Sequence, residues 1–257
     1  VSPPEFEKLY LDGLLDPIRL PRDVLTEFRL DGEFTYASQY GQSPVPMGGG
    51  MFKTDKLAEE GMIVDNPDLN KMVWVCRYWD KAGTMGGGAY TVGLLLAMDV
   101  NGNLWVLDIV RGQWSVDIRE QWIKKTAISD NAMFQQSLTT GALRMPPVIG
   151  IEQEPGSGGK ESAEFTVRRL AGFEVVVDVP GGEKARRAEP FATQLNLGNV
   201  KLKRGNWNQA YIDELTFFPR GKYKDQVDAG SGALGVITGH STKDREYDLS
   251  DWVGSMF

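Results

Sequence analysis

Residues 89–114 read AYTVGLLLAMDVNGNLWVLDIVRGQW, two long apolar runs joined by a short polar segment. The joint contains Asn101 followed by Gly102, a pair that favours the tight turn of a β-hairpin. The preceding run, KMVWVCRYWD at residues 71–80, is rich in the aromatic and β-branched residues that favour strands. The sequence therefore predicts three consecutive strands in a hairpin meander.

Beyond this meander the chain alternates between extended and helical patterns. VIGIE at residues 148–152 is a short apolar run of the kind expected for a buried strand. Two more strands are predicted, from FEVVVDV at 173–179 and NVKLKR at 199–204. Helices are predicted over residues 115–128, 160–172, 183–198 with a proline interruption, 207–218, and from Asp225 onward. A meander followed by helix–strand units predicts an α/β fold with a mixed sheet and helices on its faces.

Residues 1–55 have a different character from the rest of the chain. They are rich in proline, contain the glycine run 48–50, and show a helical stretch only around residues 22–30. We interpret residues 1–55 as a linker or arm and residues 56–257 as the globular domain. With 41% apolar residues, the chain has ample material for a core.

Composition limits the classes of protein that this chain can be. A net charge of −7 argues against a surface that grips nucleic acid everywhere, so any such contact must be local. The one cysteine, Cys76, excludes a disulfide framework and favours a reducing compartment, with the thiol buried in a strand. No apolar run approaches the roughly 20 residues that span a bilayer, and the N-terminus lacks a signal-peptide pattern. We expect a soluble, cytoplasmic protein without a membrane partner.

The segment VIGIEQEPGSGGKES at residues 148–162 ends a predicted strand in acids and glycines. A phosphate-cradling P-loop requires glycine, four residues, glycine, lysine and then serine or threonine. Here Lys160 is followed by Glu161, and no glycine lies five positions before Gly159. The P-loop is therefore disfavoured, and Glu152 stands as a carboxylate at a strand end.

Three further acids occupy comparable places. Asp80 ends the first predicted strand, and Asp225 and Asp228 open the last helix, three residues apart and so on one face. If the first and fourth strands are parallel neighbours, Asp80 and Glu152 emerge side by side. Acids that converge without lysine partners repel one another and favour a hard divalent cation. Two such ions about 4 Å apart can drive hydrolysis of a phosphodiester.

Several of these segments together resemble the nuclease domain of the large terminase subunit of tailed bacteriophages. The resemblance covers roughly residues 34–240 and rests on YWDKAGT, the hairpin from YTVGLLL to GQWS, VIGIEQEPGSGGK and FFPRGKYKDQVDAGSGA. The segment YASQYGQSPVPMGGGMFK is similar to the one that follows the ATPase domain in such proteins. The resemblance implies a ribonuclease H-like fold and endonucleolytic cutting of concatemeric viral double-stranded DNA, with two Mg²⁺ or Mn²⁺ ions.

Matched motif by motif, the resemblance implies that Asp80, Glu152, Asp225 and Asp228 are catalytic metal ligands. The chain departs from the family's Asp-Asp-x-x-Asp-Ala helix entry, because Lys224 replaces the first aspartate. Either Asp225 or Asp228 could therefore be the direct ligand, with Asp228 slightly favoured. Glu154 would lie behind the ligands and support them.

The same resemblance implies DNA contacts and protein partners. Lys160 would neutralise a phosphate beside the glycines, which otherwise simply form the strand-to-helix turn. Lys203, Arg204, Lys222 and Lys224 are further candidate DNA contacts, although each basic cluster, like that of Lys184, Arg186 and Arg187, is singly better explained as a solvated face. The expected partners are an upstream ATPase domain of the same polypeptide, the portal and the small terminase subunit, in the host bacterial cytoplasm.

Rival interpretations stay open at this point. Integrases, transposases and junction resolvases use the same carboxylate chemistry on other substrates, and a non-catalytic portal-docking module would keep the acids for structure. A hydrolase built on His240 and a histidine–cysteine zinc site are disfavoured by position and by count. Asp99 and Asp108 are interpreted as a turn residue and an exposed strand residue. We also expect the isolated domain to bind DNA weakly and in a salt-dependent way.

Overall fold

The computed structural model describes residues 8–11, 14, 16–31, 50–82, 88–182 and 184–239. By its contacts the chain divides into two compact units, Val1–Gly50 and Met51–Phe257. In the first unit the structure describes helix α1 (Arg22–Asp31), close to the helical stretch predicted from the sequence. His240 and most of the segment compared with the exit from an ATPase domain lie outside the described residues.

The second unit is built on a seven-stranded sheet in the order β1-β7-β4-β3-β2-β5-β6. Its strands are β1 (Ile63–Val64), β2 (Met72–Asp80), β3 (Thr91–Asp99), β4 (Leu104–Gly112), β5 (Val148–Glu152), β6 (Val175–Asp178) and β7 (Val200–Lys203). β3 runs antiparallel to both of its neighbours, and every other pair is parallel. The carboxyl ends of all strands except β3 therefore meet along one edge of the sheet.

In the part of the chain that the structure describes, six α-helices follow the meander or separate the later strands. They are α2 (Val116–Met133), α3 (Gln135–Thr140), α4 (Ser157–Arg169), α5 (Lys184–Asn196), α6 (Asn208–Phe217) and α7 (Asp225–Thr238). Together with the sheet they confirm the predicted α/β fold, a mixed sheet flanked by helices. Among the described helices, none combines the length and the apolar character that a membrane span requires.

The predicted interruption of helix α5 is wrong. The helix continues through Pro190, which lies in its interior. Proline removes the backbone N–H that would bond the carbonyl of Arg186. Both Pro190 and Arg186 are exposed, so water can satisfy that carbonyl without breaking the helix. Helix α4 also begins earlier than predicted, because Ser157, Gly158 and Gly159 form its first turn.

Alternate residues of the central strands face two separate cores, as the pleat of a sheet requires. Tyr78 and Leu94 pack with helices α5, α6 and α7 on one face. Trp79 packs with α2 and α4 on the other. Cys76 is fully buried in the first of these cores, as predicted. The chain therefore sandwiches its sheet between two helical layers.

The position of helix α7 is fixed by a close approach to the ring of Tyr78. A Cβ atom on Gly232 of α7 would overlap this ring, and one on Gly150 of β5 would lie 2.5 Å from it. Both positions therefore need glycine for space rather than for backbone freedom. This packing explains why the last helix has glycine at position 232, and it sets the helix against β2 and β5.

On the opposite face, Arg77 is buried and joins the sheet to helix α2. Its Nε donates to Oδ2 of Asp130 at 2.8 Å, and its Nη2 donates to Oδ2 of Asp108 at 2.9 Å. The interpretation of Asp108 as a merely exposed strand residue is therefore wrong. A buried guanidinium needs partners on all sides, and Asp108 is one of them.

Candidate active site

Acidic side chains gather at the carboxyl edge of the sheet. Asp80 and Glu152 end the adjacent parallel strands β2 and β5, and Asp178 ends β6, where it is directly opposite Glu152. The first turn of α7 adds Asp225 and Asp228 from one face of the sheet. The structure thus brings the four predicted acids to one place and adds Asp178 to them.

Two basic side chains from helix α5 enter this acidic cluster. Nζ of Lys184 forms an ion pair and a hydrogen bond with Oδ2 of Asp228. The guanidinium of Arg187 lies 3.9 Å from Oε1 of Glu152 and 3.8 Å from Oδ1 of Asp228. The expectation that the acids converge without lysine partners is therefore wrong. We call Asp80, Glu152, Asp225 and Asp228, together with the two cations Lys184 and Arg187, the carboxylate centre.

Helical periodicity could have revealed these two cations in the sequence. Lys184 and Arg187 share a helix face with Ala188 and Phe191, which are both buried. A helix face that carries core residues points toward the sheet, so the cations on that face must contact polar or charged groups of the sheet. The density of basic residues in this segment instead suggested a solvated surface.

Burial dominates the electrostatics of the carboxylate centre. It raises the pKa of Asp80 well above its ordinary value, and the neighbouring charge of Glu152 raises this pKa further. Burial also raises the pKa of Glu152, although Arg187 opposes this shift. For Lys184, burial would lower the pKa, but the bond to Asp228 outweighs it, and the pKa is raised. The cations therefore partly offset the cost of gathering these acids in a buried place.

Asp225 is held differently from Asp228. Its Oδ2 accepts a hydrogen bond of 2.7 Å from the backbone N–H of Tyr90, just before β3. Burial raises the pKa of Asp225, and the Tyr90 N–H acts in the opposite direction. One oxygen of Asp225 is thus already engaged by the backbone, whereas Asp228 is engaged by side-chain cations.

Asp178 is the acid that sequence reasoning missed. Its Oδ2 accepts a hydrogen bond of 2.6 Å from the hydroxyl of Tyr78. Burial raises the pKa of Asp178, opposed by this bond and by Arg187. The available signal was its place at the end of a predicted strand, the same place that singled out Glu152.

The donor set fits a hard divalent cation. Oε2 of Glu152 is buried and has no hydrogen-bond partner among the described residues, and Nε of Arg187 is in the same situation. An unpartnered buried oxygen is costly, and a cation would relieve that cost. Carboxylate oxygens are the ligands that Mg²⁺ and Mn²⁺ prefer. Within the described ranges, no three acidic, histidine or cysteine side chains are already arranged as metal ligands.

The glycine segment after β5 is largely explained by local geometry. Gly156 has φ of 93°, a left-handed conformation that favours glycine, and a Cβ on Gly159 would overlap the carbonyl oxygen of Glu154. Gly158 faces open space. The turn therefore accounts for two of the glycines without any ligand.

The remaining predicted residues are dispersed around the same edge. Glu154 is exposed and lies near Lys81 on a cleft of about 560 Å³ that Glu152 also lines. Lys160 is exposed and lies 4.0 Å from Glu164. Arg204 pairs with Asp65 at 2.8 Å. Lys203 ends β7, Lys222 lies over the ring of Tyr223, and Lys224 precedes α7.

No protein-family model matches the sequence, and no curated protein matches it. Similar solved structures include the large terminase nuclease from thermophilic phage G20c with bound zinc, at 13% identity, 72% coverage of this chain, 97% of that chain and a TM-score of 0.46. The human cytomegalovirus terminase nuclease domain matches at 15% identity, with 64% of this chain and 81% of that chain covered and a TM-score of 0.39. The yeast mitochondrial Holliday junction resolvase matches at 11% identity, with 63% of this chain and 77% of that chain covered and a TM-score of 0.34.

Proposed function

We propose that this chain is a divalent-metal-dependent endonuclease that cuts concatemeric viral double-stranded DNA during genome packaging. The observation that carries the proposal is the carboxylate centre itself. Acids from two adjacent strands and one helix converge at a buried sheet end, where Oε2 of Glu152 has no hydrogen-bond partner among the described residues. Such convergence stabilises nothing by itself, because like charges in a buried place repel one another.

Asp80, Glu152 and Asp228 would hold two Mg²⁺ or Mn²⁺ ions, with Asp225 as the fourth ligand. We favour Asp228 over Asp225 as the direct ligand, because one oxygen of Asp225 already accepts from the Tyr90 backbone. When bound, such ions activate a water and stabilise the leaving oxygen of a phosphodiester. We propose Glu154 as a supporting residue behind the ligands.

The residues of the chain have their own roles in this proposal. Lys184 pairs with Asp228, and Arg187 lies close to both Asp228 and Glu152, so these cations offset part of the acidic charge. The hydroxyl of Tyr78 donates to Asp178 and so engages one oxygen of this neighbouring acid. Asp80 is only partly exposed, and this partial burial strengthens any charge interaction made there.

The proposed context is a packaging motor in the host bacterial cytoplasm. Residues 56–257 would form the nuclease domain, and residues 1–55 would connect it to an upstream ATPase domain. The portal and the small terminase subunit are further proposed partners. Delivery of DNA from the ATPase domain would then control cutting, which accords with the acidic net charge of this chain.

The direct test is cleavage of a supercoiled plasmid by the whole chain with Mn²⁺, Mg²⁺ or EDTA. We expect nicking and linearisation with metal, and loss of both in Asp80→Asn, which keeps the shape of the side chain and removes its charge. Glu161→Gln is the matched control, since Glu161 is an exposed acid on α4. Cutting that survives Asp80→Asn would overturn the proposal. Absence of cutting with either metal would favour a portal-docking module.

A further inference from the structure

A cluster of aromatic and basic side chains lies beside the carboxylate centre. It consists of Tyr90 before β3, Arg111 near the end of β4, and Lys222 and Tyr223 before α7. We call it the tyrosine–cation cluster. Its position follows from the sheet register, since Val92 of β3 pairs with Asp80 on one side and with Arg111 on the other.

Side chains directly opposite one another on neighbouring strands share a face of the sheet. Asp80 and Arg111 therefore project from the same face, two strand spacings or roughly 10 Å apart. The cluster is also tied to the centre through the backbone, because the N–H of Tyr90 donates to Asp225. The cluster and the centre thus form one continuous surface.

The two rings hold the two cations in place. The ring centroids of Tyr90 and Tyr223 are 5.0 Å apart in an edge-on arrangement with an interplanar angle of 72°. Cζ of Arg111 lies 4.7 Å from the centroid of Tyr90, and Nζ of Lys222 lies 5.1 Å from that of Tyr223. The rings are partly buried, whereas both cations are exposed. A cation held on an aromatic face has lost part of its freedom before any ligand arrives.

Charge distinguishes this side of the carboxylate centre from the α4 side. The loop before α7 carries Arg220, Lys222 and Lys224 within five residues. On the other side, Lys160 is accompanied by exposed acids of α4 and the loop before it: Glu154, Glu161 and Glu164. A polyanion that approaches the carboxylate centre therefore meets cations on the side of Arg111 and the loop before α7, whereas on the α4 side it meets cations and acids mixed together.

We propose that the tyrosine–cation cluster binds the sugar–phosphate backbone of the DNA strand next to the bond that is cut. This inference rests on the proposed nuclease function and adds the direction from which the strand reaches the carboxylates. Arg111 and Lys222 contact phosphates, and the rings of Tyr90 and Tyr223 orient these cations and pack against sugar. Lys160, near the start of α4 beside the glycines, is then not the main phosphate contact.

The test is equilibrium binding of the whole chain to fluorescein-labelled DNA duplexes, followed by anisotropy in EDTA over a series of salt concentrations. Arg111→Ala and Lys222→Ala should each weaken binding roughly threefold or more and lower the slope of log affinity against log salt by about 0.9. Lys160→Ala should change the affinity less than either cluster variant.

Lys201→Ala is the matched control. Nζ of Lys201 lies 5.2 Å from the ring of Trp105, so it makes the same kind of contact. Trp105 is the second residue of β4, at the opposite end of that strand from Arg111. Loss of this cation should leave binding unchanged. Duplexes of two unrelated sequences should show the same losses, since a backbone contact carries no sequence information.

Wild-type affinity in both Arg111→Ala and Lys222→Ala would overturn the inference, as would losses that depend on the duplex sequence. The proposed function fails separately, through the plasmid assay. A chain that binds through the cluster but never cuts with metal would keep this DNA site and lose the nuclease. A chain that cuts but binds normally in both variants would keep the nuclease and lose this site.

Discussion

Arg77 and Arg187 each face two carboxylates, but they do so in very different ways. Arg77 makes hydrogen bonds of 2.7 to 3.0 Å to Asp130, Asp108 and the carbonyl oxygen of Gly93. Arg187 lies 3.8 to 3.9 Å from its carboxylates, and its Nε has no partner among the described residues. The first cluster is complete, whereas the second is left with unused bonding capacity.

Completeness separates a structural ion pair from a site that can accept a ligand. A buried pair whose donors and acceptors are all satisfied has no reason to exchange partners. In the cluster around Arg187 the ion-pair distances are long, and one carboxylate oxygen has no partner among the described residues. Such a cluster can replace a side-chain cation with a cation from outside the protein. The carboxylate centre keeps its geometry through the packing around it, chiefly the fit of Tyr78 against Gly232.

The largest effect on stability is expected from a substitution that breaks the complete cluster around Arg77. Arg77→Met should lower the free energy of unfolding by about 3–5 kcal/mol, because it leaves Asp130 buried without a counter-charge. Urea denaturation of the metal-free protein measures this loss. The matched change, Arg187→Met, should cost about 1 kcal/mol or less, because its contacts are long. Equal losses in the two variants would contradict the distinction between the clusters.

A smaller effect should come from the packing that supports the carboxylate centre. Gly232→Ala should lower the free energy of unfolding by about 1–3 kcal/mol, because the added methyl group overlaps the ring of Tyr78. Alanine is the better helix former, so propensity alone predicts the opposite sign. Thermal and urea denaturation test the prediction.

Gly158→Ala in helix α4 is the control for this substitution. Its Cβ would point into open space, so the variant should be as stable as the wild type or slightly more stable. If Gly232→Ala were equally harmless, the close fit of α7 on Tyr78 could not be what positions Asp225 and Asp228.

Lys184, one of the two cations of the carboxylate centre, can be replaced without changing any acidic residue. Lys184→Gln should tighten Mn²⁺ binding roughly fivefold, because the ion no longer competes with the ion pair to Asp228. Isothermal titration calorimetry on the whole chain measures this affinity directly. Lys201→Gln, which removes a cation elsewhere on the sheet, should leave it unchanged. Unaltered or weaker Mn²⁺ binding in Lys184→Gln would show that Lys184 does not occupy the place of a metal.

The sequence predicted the fold well where the signal is local. Strand β5 has its predicted bounds, residues 148–152, and the Asn101–Gly102 turn joins β3 to β4 as expected. Period-two patterns and turn residues act over a few neighbours, so they can be read from one chain. The four acids were found because each ends or opens a predicted element.

The sequence did not reveal contacts between distant segments. Lys184 reaches Asp228 across 44 positions, and Tyr78 reaches Asp178 across 100. Helical periodicity places Lys184 and Arg187 on a buried helix face, but no local pattern encodes which strand end that face meets, so the partners of these two cations stayed hidden. The same reason explains why Asp108 seemed merely exposed, since its partner Arg77 lies on another strand.

The smallest effect is expected in the pH dependence of stability that two other buried carboxylates, Glu214 and Asp99, produce. Burial raises the pKa of Glu214, although Gln226 and Val227 donate to it at the start of α7. Its stabilising contribution is therefore complete below the unfolded value of about 4.3 and is lost as pH rises through the folded pKa.

For Asp99, burial is outweighed by hydrogen bonds from Trp105 and Asn103, so its pKa is lowered and its contribution is lost in acid. In urea denaturation from acid to neutral pH, the stability advantage of wild type over Glu214→Gln should shrink, and that over Asp99→Asn should grow. Parallel trends would mean that burial, and not the completeness of hydrogen bonding, sets the behaviour of both groups.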